Sequence, residues 1–441
     1  MKKKLLIQTI FLFAFIKCIS QPLDACKLEY KGIRFEKGLS WKKILAKAKQ
    51  QNKFILVDCY ATWCGPCKKM DKDVYPNYNV GEYINSKYIS VKVQMDTTKL
   101  DDKQKQIWYA DAKTFRQSYQ INAFPSYLFF SPEGKCVHKG EGYMKVEDFV
   151  QLCEDAINPK KQFYTLLENY EKGYRDYSAL RYLAESASLF GYSEEASQIG
   201  RDYIDNYIFQ LPDSSRITKE NVQFICEFTK TSSDKGFNLF YYNADKINKV
   251  MNDSNFSRNY SDYLISKEEI DPEILSSMKS NNNSPNWIML RERIAKKYTE
   301  EYADRTITAS KVRWFEWRNE WTEYAKYSSV LLEKYGNGMS DVEINQRAWP
   351  IFLYSSNRQE LEIALIWMKQ TINKLPVNES QIDSETDTYA NLLYKIGFKD
   401  EAIKWEKKAI ELAIKAGFGP RGDFQDALNK MQRDIPTWHL N

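Results

Sequence analysis

The sequence predicts an α/β sandwich, a central mixed sheet flanked by helices, followed by an all-α domain of helical repeats. Three observations carry this reading. Between residues 31 and 157, apolar strand-like runs alternate with amphipathic segments. Strand patterns nearly vanish after Asn158-Pro159, a dipeptide that marks a boundary. Beyond it, small-residue patterns recur at fixed spacing, as in stacked helical hairpins. A chain of 441 residues, 43% apolar and 15% aromatic, is long enough for two or three domains with substantial cores.

The elements follow in order. Residues 1–20 read as a signal peptide: Lys2 to Lys4 form a basic start and Leu5 to Ile16 an apolar run too short to span a bilayer. Cys18 and Ser20 sit like the −3 and −1 residues of a cleavage site, with Gln21 next. Phe15-Ile16-Lys17 lacks the small residues expected before a lipidated cysteine, which argues against a lipoprotein. No later run is apolar enough for a membrane span, so the mature chain is expected to be soluble and exported, periplasmic or secreted. "GIRFEKG" reads as a short strand. Ser40 is placed to cap a helix over Trp41 to Gln51, where Ile44, Leu45 and Ala48 share one face. "FILVDCY" (Phe54 to Tyr60) has the continuous apolar character of a strand covered on both faces. A helix starts near Cys64, is interrupted at Pro76 and resumes at Val80; "YISVKVQM" is the next strand. Leu100 to Tyr119 is one long helix or two short ones. "SYLFFS" and "KCVHKGEGY" form a hairpin turned at Pro132-Glu133-Gly134, and Val146 to Ile157 is a closing helix. The expected domains are therefore 21–158 and 159–441.

In the second part, Ala184, Gly191 and Ala196 have the same spacing as Ala390, Gly397 and Ala402. Ala364, Trp367 and Ile372 align with Ala402, Trp405 and Ile410 at a period of 38. Trp314, Trp317, Trp321 and Tyr324 have helical spacing and are expected to pack in a core, with a binding groove as the alternative.

Charge excludes one class of function. Of 64 Lys+Arg, four lie in the first twenty residues; the remaining 60 face 59 Asp+Glu, so nothing electrostatic points to nucleic acid. Without Cys18 the chain keeps seven cysteines, an odd number and too few for a disulfide-dense scaffold. Cys59 and Cys153 are expected to be buried apolar residues; Cys26, Cys136 and Cys226 are not assigned.

Chemistry centres on "DCYATWCGPCKKM", Asp58 to Met70. A zinc site would need two more ligands near Cys64 and Cys67. The chain offers only His138 and His439 and no second close cysteine pair, so no metal is expected. A redox dithiol fits the context. Cys64 follows a buried strand where a helix begins, so its thiolate meets the positive end of the helix dipole. It would be the nucleophile, with Cys67, one turn on, as resolving thiol. Gly65 permits close approach, Pro66 suits a first helical turn, and Trp63 shields one side. Asp58 is an isolated acid in an apolar strand; burial would raise its pKa and let it accept the proton of Cys67, with Lys92 on the next strand as its charge partner. The alternative is a purely structural carboxylate. Phe124-Pro125, opening a strand, is expected to be a cis bond that sets the proline ring against the dithiol and leaves the Phe124 backbone free to pair with substrate.

Together, Trp63-Cys64-Gly65-Pro66-Cys67, Asp58 six residues upstream, Lys92 four before Asp96, Pro125 before the hairpin and Gly142 after it make residues 31 to 157 resemble the thioredoxin superfamily. The resemblance implies a thioredoxin-like fold, attack on disulfides by Cys64, resolution by Cys67, and Pro125 as the cis-proline. Its Gly-Pro spacer accompanies strong reductants in that family. Residues 160 to 437 resemble degenerate tetratricopeptide-type hairpins, through Ala390, Gly397, Ala402 and Ala409, and partly Ala184, Gly191 and Ala196; about 210 to 340 fits poorly. The function expected is protein-disulfide reduction without an organic cofactor. Disulfide-containing proteins would be the substrates, a membrane-borne dithiol the electron donor, and a protein the partner of the helical domain. Rival readings are a disulfide oxidase or isomerase, and a binding scaffold with a vestigial dithiol.

Overall fold

The computed structural model describes residues 32–280, 284–374 and 382–438. The residues read as a signal peptide, and Cys26 and His439, lie outside these. The chain divides into two compact units, one ending at Ala196 and the other beginning at Ser197.

The first unit is organised by the long apolar run of the sequence. β1 (Phe54–Tyr60) lies second in a four-stranded sheet of order β2-β1-β3-β4. It runs parallel to β2 (Tyr88–Gln94) and antiparallel to β3 (Ser126–Phe130), which forms a hairpin with β4 (Cys136–Glu141). Helices cover both faces, which is why β1 can be apolar on both sides. On one face, Ile44 and Ala48 of α1 (Trp41–Gln51) and Phe115 of α5 (Tyr109–Ser118) pack on Val57, Val91 and Leu128. On the other, Met70 of α2 (Gly65–Asp73), Ile84 of α3 (Tyr78–Lys87) and Phe149 of α6 (Val146–Ala156) pack on Leu56, Tyr127 and Phe129. Each such side chain contributes about 1.5–3 kcal/mol on full burial.

Two local expectations change, and one choice between alternatives is decided. "GIRFEKG" makes one bridge, Phe35 to Ser90, with Glu36 N–H donating to Ser90 O at 2.8 Å, and no strand. Gly32 is pressed against Tyr75 O and Pro76, and Gly38 turns the chain away at φ +68°, so no ladder extends. Ser40 sits in the capping position of α1, but its carbonyl and not its hydroxyl meets the first turn. The stretch from Leu100 to Tyr119 is two helices, α4 (Lys103–Gln106) and α5.

The compact unit continues past Asn158-Pro159. α7 (Phe163–Glu171) packs against β4, burying Phe163, Leu166 and Leu167. The Phe163 N–H donates to His138 Nδ1 at 3.0 Å, and burial lowers the His138 pKa to about 4, which keeps that nitrogen an acceptor. Phe163 also meets the rings of Phe190 and Tyr192, which follow α8 (Tyr177–Leu189). Lys139 of β4 is fully buried, bonded to Glu141 at 2.6 Å and to the Gln120 carbonyl at 3.1 Å.

The described part of the second unit is helical. Helix Glu300–Trp317 packs on Trp321–Tyr335, Asp341–Tyr354 on Arg358–Lys374, and Asp383–Lys395 on Lys399–Lys415. The small residues Ala364, Ala390, Ala402 and Ala409 are all fully buried, and Gly397 ends its helix in the left-handed region at φ +99°. Gly191 does the same for α8 at φ +84°. The aromatic stripe does not lie on one helix. Asn319, at φ +58°, breaks it between Trp317 and Trp321. Trp314 and Tyr324 are core, Trp321 stacks on Tyr354, and Trp317 is exposed. No helix among the described residues is long and apolar enough to cross a membrane.

Candidate active site

Past the end of β1 the chain turns, with Cys64 N–H donating to Ala61 O at 3.1 Å, and enters α2. Cys64 is the N-cap of α2, and its Sγ accepts the Cys67 N–H at 3.1 Å. An N-cap sulfur so placed meets the unpaired donors of the first turn, which stabilises negative charge on it. Pro66 occupies the first turn without loss, since no intrahelical acceptor is available there. Cys64 and Cys67 are joined in a disulfide with Cα atoms 5.4 Å apart. Both are buried, whereas Trp63, Gly65 and Pro66 around them are exposed. The loop before Cys64 is tied to the end of β2 by Asp96, which accepts from the Thr62 N–H at 3.0 Å and from its hydroxyl. Phe124 packs against the cysteines, its ring edge-on to Trp63 at 5.8 Å. The Phe124-Pro125 bond is cis, and the Pro125 carbonyl accepts the Gly142 N–H at 2.8 Å.

A second group lies next to it, linked through Tyr60, which packs on the cysteine cluster and carries Lys92 over its ring at 5.0 Å. Asp58 is two residues after Leu56 on β1, so both point to the face that α2 covers. It is 2% exposed. Lys92 is its register partner on β2, with Nζ 3.4 Å from Asp58 Oδ2. Lys92 also pairs with Asp71 of α2 and lies among the rings of Phe35 and Tyr75, so it joins a buried acid to an exposed one. Asp58 Oδ1 and the Tyr75 hydroxyl are buried without a hydrogen bond of ordinary geometry among the described residues. Burial raises the Asp58 pKa from 3.8 to about 6, against the opposing pull of Lys92. Burial, reinforced by Asp58, pushes Tyr60 up to about 12 and Tyr75 well above its usual value.

A dithiol and a carboxyl that titrates near neutrality can together exchange two electrons and move a proton. Every site residue named from the sequence falls in one of these two groups. Sequence reasoning missed Asp71 and Tyr75, and named Asp96 only as part of the family pattern, not as the anchor of the loop before Cys64. Asp71 carried a signal: it is four residues after Cys67, so one helical turn puts both on one face. The other cysteines stand apart. Cys59 and Cys153 are buried in the two cores as expected, Cys136 is buried, Cys226 is half-buried, and none of the four is in a disulfide.

Residues 41–157 match the family described as thioredoxin-like domain. Similar proteins include thioredoxin Y, chloroplastic, of Oryza sativa subsp. japonica, 33% identical over 122 residues, covering 28% of this chain and 60% of that protein. The thiol:disulfide interchange protein DsbD of Colwellia psychrerythraea is 33% identical over 105 residues, covering 23% of this chain and 16% of its own. A protein disulfide-isomerase of Hordeum vulgare is 28% identical over 109 residues, covering 25% and 19%. The chain thus spans less than two thirds of each of these relatives, and each match covers under a third of this chain.

Proposed function

We propose that this chain, whose residues 41–157 are a thioredoxin-like domain, is an exported thiol–disulfide oxidoreductase that reduces disulfide bonds in proteins. The observation that carries the reading is the Cys64–Cys67 pair at the start of α2, with the buried Asp58 on the face that α2 covers. In the reduced enzyme, the Cys64 thiolate attacks one sulfur of a substrate disulfide. A Cys64–substrate bond forms, the substrate bond breaks, and the departing sulfur takes a proton. Cys67 then gives its proton to the Asp58 carboxylate and attacks Cys64 Sγ. The Cys64–Cys67 disulfide closes and the second substrate sulfur leaves as a thiolate, to be protonated in turn. Two electrons pass from the dithiol to the substrate. Lys92 holds the charge of Asp58 while it is ionised. Trp63, Gly65, Pro66, Phe124 and Pro125 form the surface on which substrate is held.

Residues 1–20 support export, and the relatives named thiol:disulfide interchange proteins support exchange with a dithiol partner; in an oxidising compartment a reductant needs such a donor, here taken to be membrane-borne. The buried alanines and helix-ending glycines support a tetratricopeptide-like domain over 159–441 that binds a protein partner. The reaction needs no organic cofactor, and neither metal nor nucleic acid enters this reading. The match to protein disulfide-isomerases favours one second reading, an oxidase or isomerase.

Two measurements separate these. In the full chain, Cys67→Ser should accumulate mixed disulfides with exported proteins that dithiothreitol releases, and Cys64→Ser should accumulate none; capture by the Cys64→Ser chain instead would reverse the roles. The potential of the pair, titrated against glutathione, should lie near about −270 mV; a value near about −120 mV would make the enzyme an oxidant.

A further inference from the structure

We propose that the helical unit binds a small oxyanion, a carboxylate or a phosphoryl group, in a cavity that gathers four arginines. The cavity has a volume of about 340 Å³ and is walled by Arg258, Arg305, Arg313 and Arg347, which come from three helices far apart in sequence. That volume is in the range of small-molecule sites, roughly 300–1,000 Å³.

Two of the four guanidinium groups are already neutralised. Arg305 forms a fork with Asp262 at 2.6 and 2.8 Å and reaches Glu301 at 2.7 Å. Arg313 donates to Asp271 at 3.0 Å. The remaining acid of the wall, Glu343, is engaged by the N–H and hydroxyl of Ser340 at 2.8 and 2.9 Å. Arg258 and Arg347 are different. Neither makes an ion pair among the described residues, and the Nε–H of each is buried without an acceptor. Arg258 has only a long contact, 3.5 Å, to the Tyr335 carbonyl.

Two guanidinium groups without a carboxylate partner on one cavity are an arrangement that an acceptor-rich ligand would complete. Guanidinium forks match the paired oxygens of carboxylate and phosphate. The backbone points to the same place. Ser266 of the wall opens a π-helical insertion, Ser266–Ile270, between helices Phe256–Ile265 and Asp271–Lys279. Such insertions recur at functional sites because they turn side chains out of the regular helical register. Tyr263 also lines the cavity, whereas the Thr306 hydroxyl is spent on the Tyr302 carbonyl at 2.7 Å. The ligand is therefore an anion on a small molecule, held by Arg258 and Arg347.

Calorimetric titration of the full chain with inorganic phosphate and with citrate, at low ionic strength, tests this. Saturable binding of at least one probe is expected, weakening as salt rises. Tighter phosphate would identify a phosphoryl ligand, and tighter citrate a carboxylate. Arg258→Gln and Arg347→Gln should each weaken binding by about 10- to 100-fold, the scale of a hydrogen bond to a charged group. The exposed Arg433→Gln serves as the control. Arg347→Lys keeps the charge but loses the fork, and should fall between wild type and Arg347→Gln. Circular dichroism checks that each variant is folded. Absence of saturable binding for both probes, or affinities of the Arg258 and Arg347 variants equal to the control, would overturn the proposal.

Discussion

Trp63 and Trp314 show how differently the two units use the same side chain. Trp63 stands 71% exposed beside the cysteine pair, with only the edge of Phe124 against it, whereas Trp314 is 2% exposed in a core with Ile265, Leu290 and Ile307. Buried acids contrast as well. In the first unit Asp58 lies against a lysine that reaches solvent through Asp71. In the second, Glu406 is fully buried and neither carboxylate oxygen has a hydrogen-bond partner among the described residues. Burial and the neighbouring Asp387 hold that carboxyl protonated well above its usual range. The lesson is local: beside the cysteine pair a ring faces solvent and a titrating acid lies just inside, as exchange chemistry requires, whereas Trp314 and Glu406 are both sealed in the interior.

Substitutions can break or sharpen this contrast. The largest effect is expected from Trp314→Ala, which should lower the stability of the helical unit by about 3–5 kcal/mol in denaturant titrations. Its disulfide-exchange rate should stay near wild type; a large loss of rate would tie the chemistry to the helical core.

The acids come next. The folded pKa of Asp58, about 6, exceeds its usual 3.8, so the folded state binds the proton more tightly than the unfolded one. Stability contributed by this site is therefore greatest below about pH 4, falls as pH rises through 6 and then levels. Asp58→Asn should stabilise the fold by up to about 3 kcal/mol at pH 8, an advantage that disappears near pH 4. It should also slow resolution of the mixed disulfide while sparing the first attack, measured by stopped flow between pH 6 and 9. An unchanged resolution step at every pH would leave Asp58 a structural carboxylate. Glu406→Gln should behave otherwise. Because Glu406 stays protonated through neutrality in the folded state, the advantage of Glu406→Gln should still be growing between about pH 7 and 8, where that of Asp58→Asn has levelled. Parallel curves for the two variants would erase the distinction between the units.

The smallest effect on stability is that of Trp63→Ala, expected within about 0.5 kcal/mol. Its signature is instead weaker handling of protein disulfides with little change toward a small disulfide. Equal losses on both substrates would mean that Trp63 shapes the cysteine pair itself and not the substrate surface.

What could be read from the sequence follows from how local each signal is. β1 and α1 were legible because "FILVDCY" and the spacing of Ile44 and Ala48 are each complete within one element. The Asp58–Lys92 pair was legible because two neighbouring parallel strands leave little choice of register. The bridge at Phe35 was not, since its outcome depends on Gly32 lodging against Tyr75 and Pro76, more than forty residues on. Neither was the break at Asn319, where one left-handed residue overrides a regular aromatic spacing. The arginine-lined cavity was invisible for the strongest form of that reason: its residues meet only once helices far apart in the chain are packed.

The sheet of the first unit has two outer strands, and each carries a partial cover. Phe35 and Glu36 bind along β2, while α7 lies on β4, where Lys139 is also folded inward. An open strand edge is a template for other chains, and an inward lysine with a covering helix is a means of blunting it. Cutting the chain at Asn158 would remove α7 and uncover part of β4, so the shortened protein would tend to self-associate through that strand.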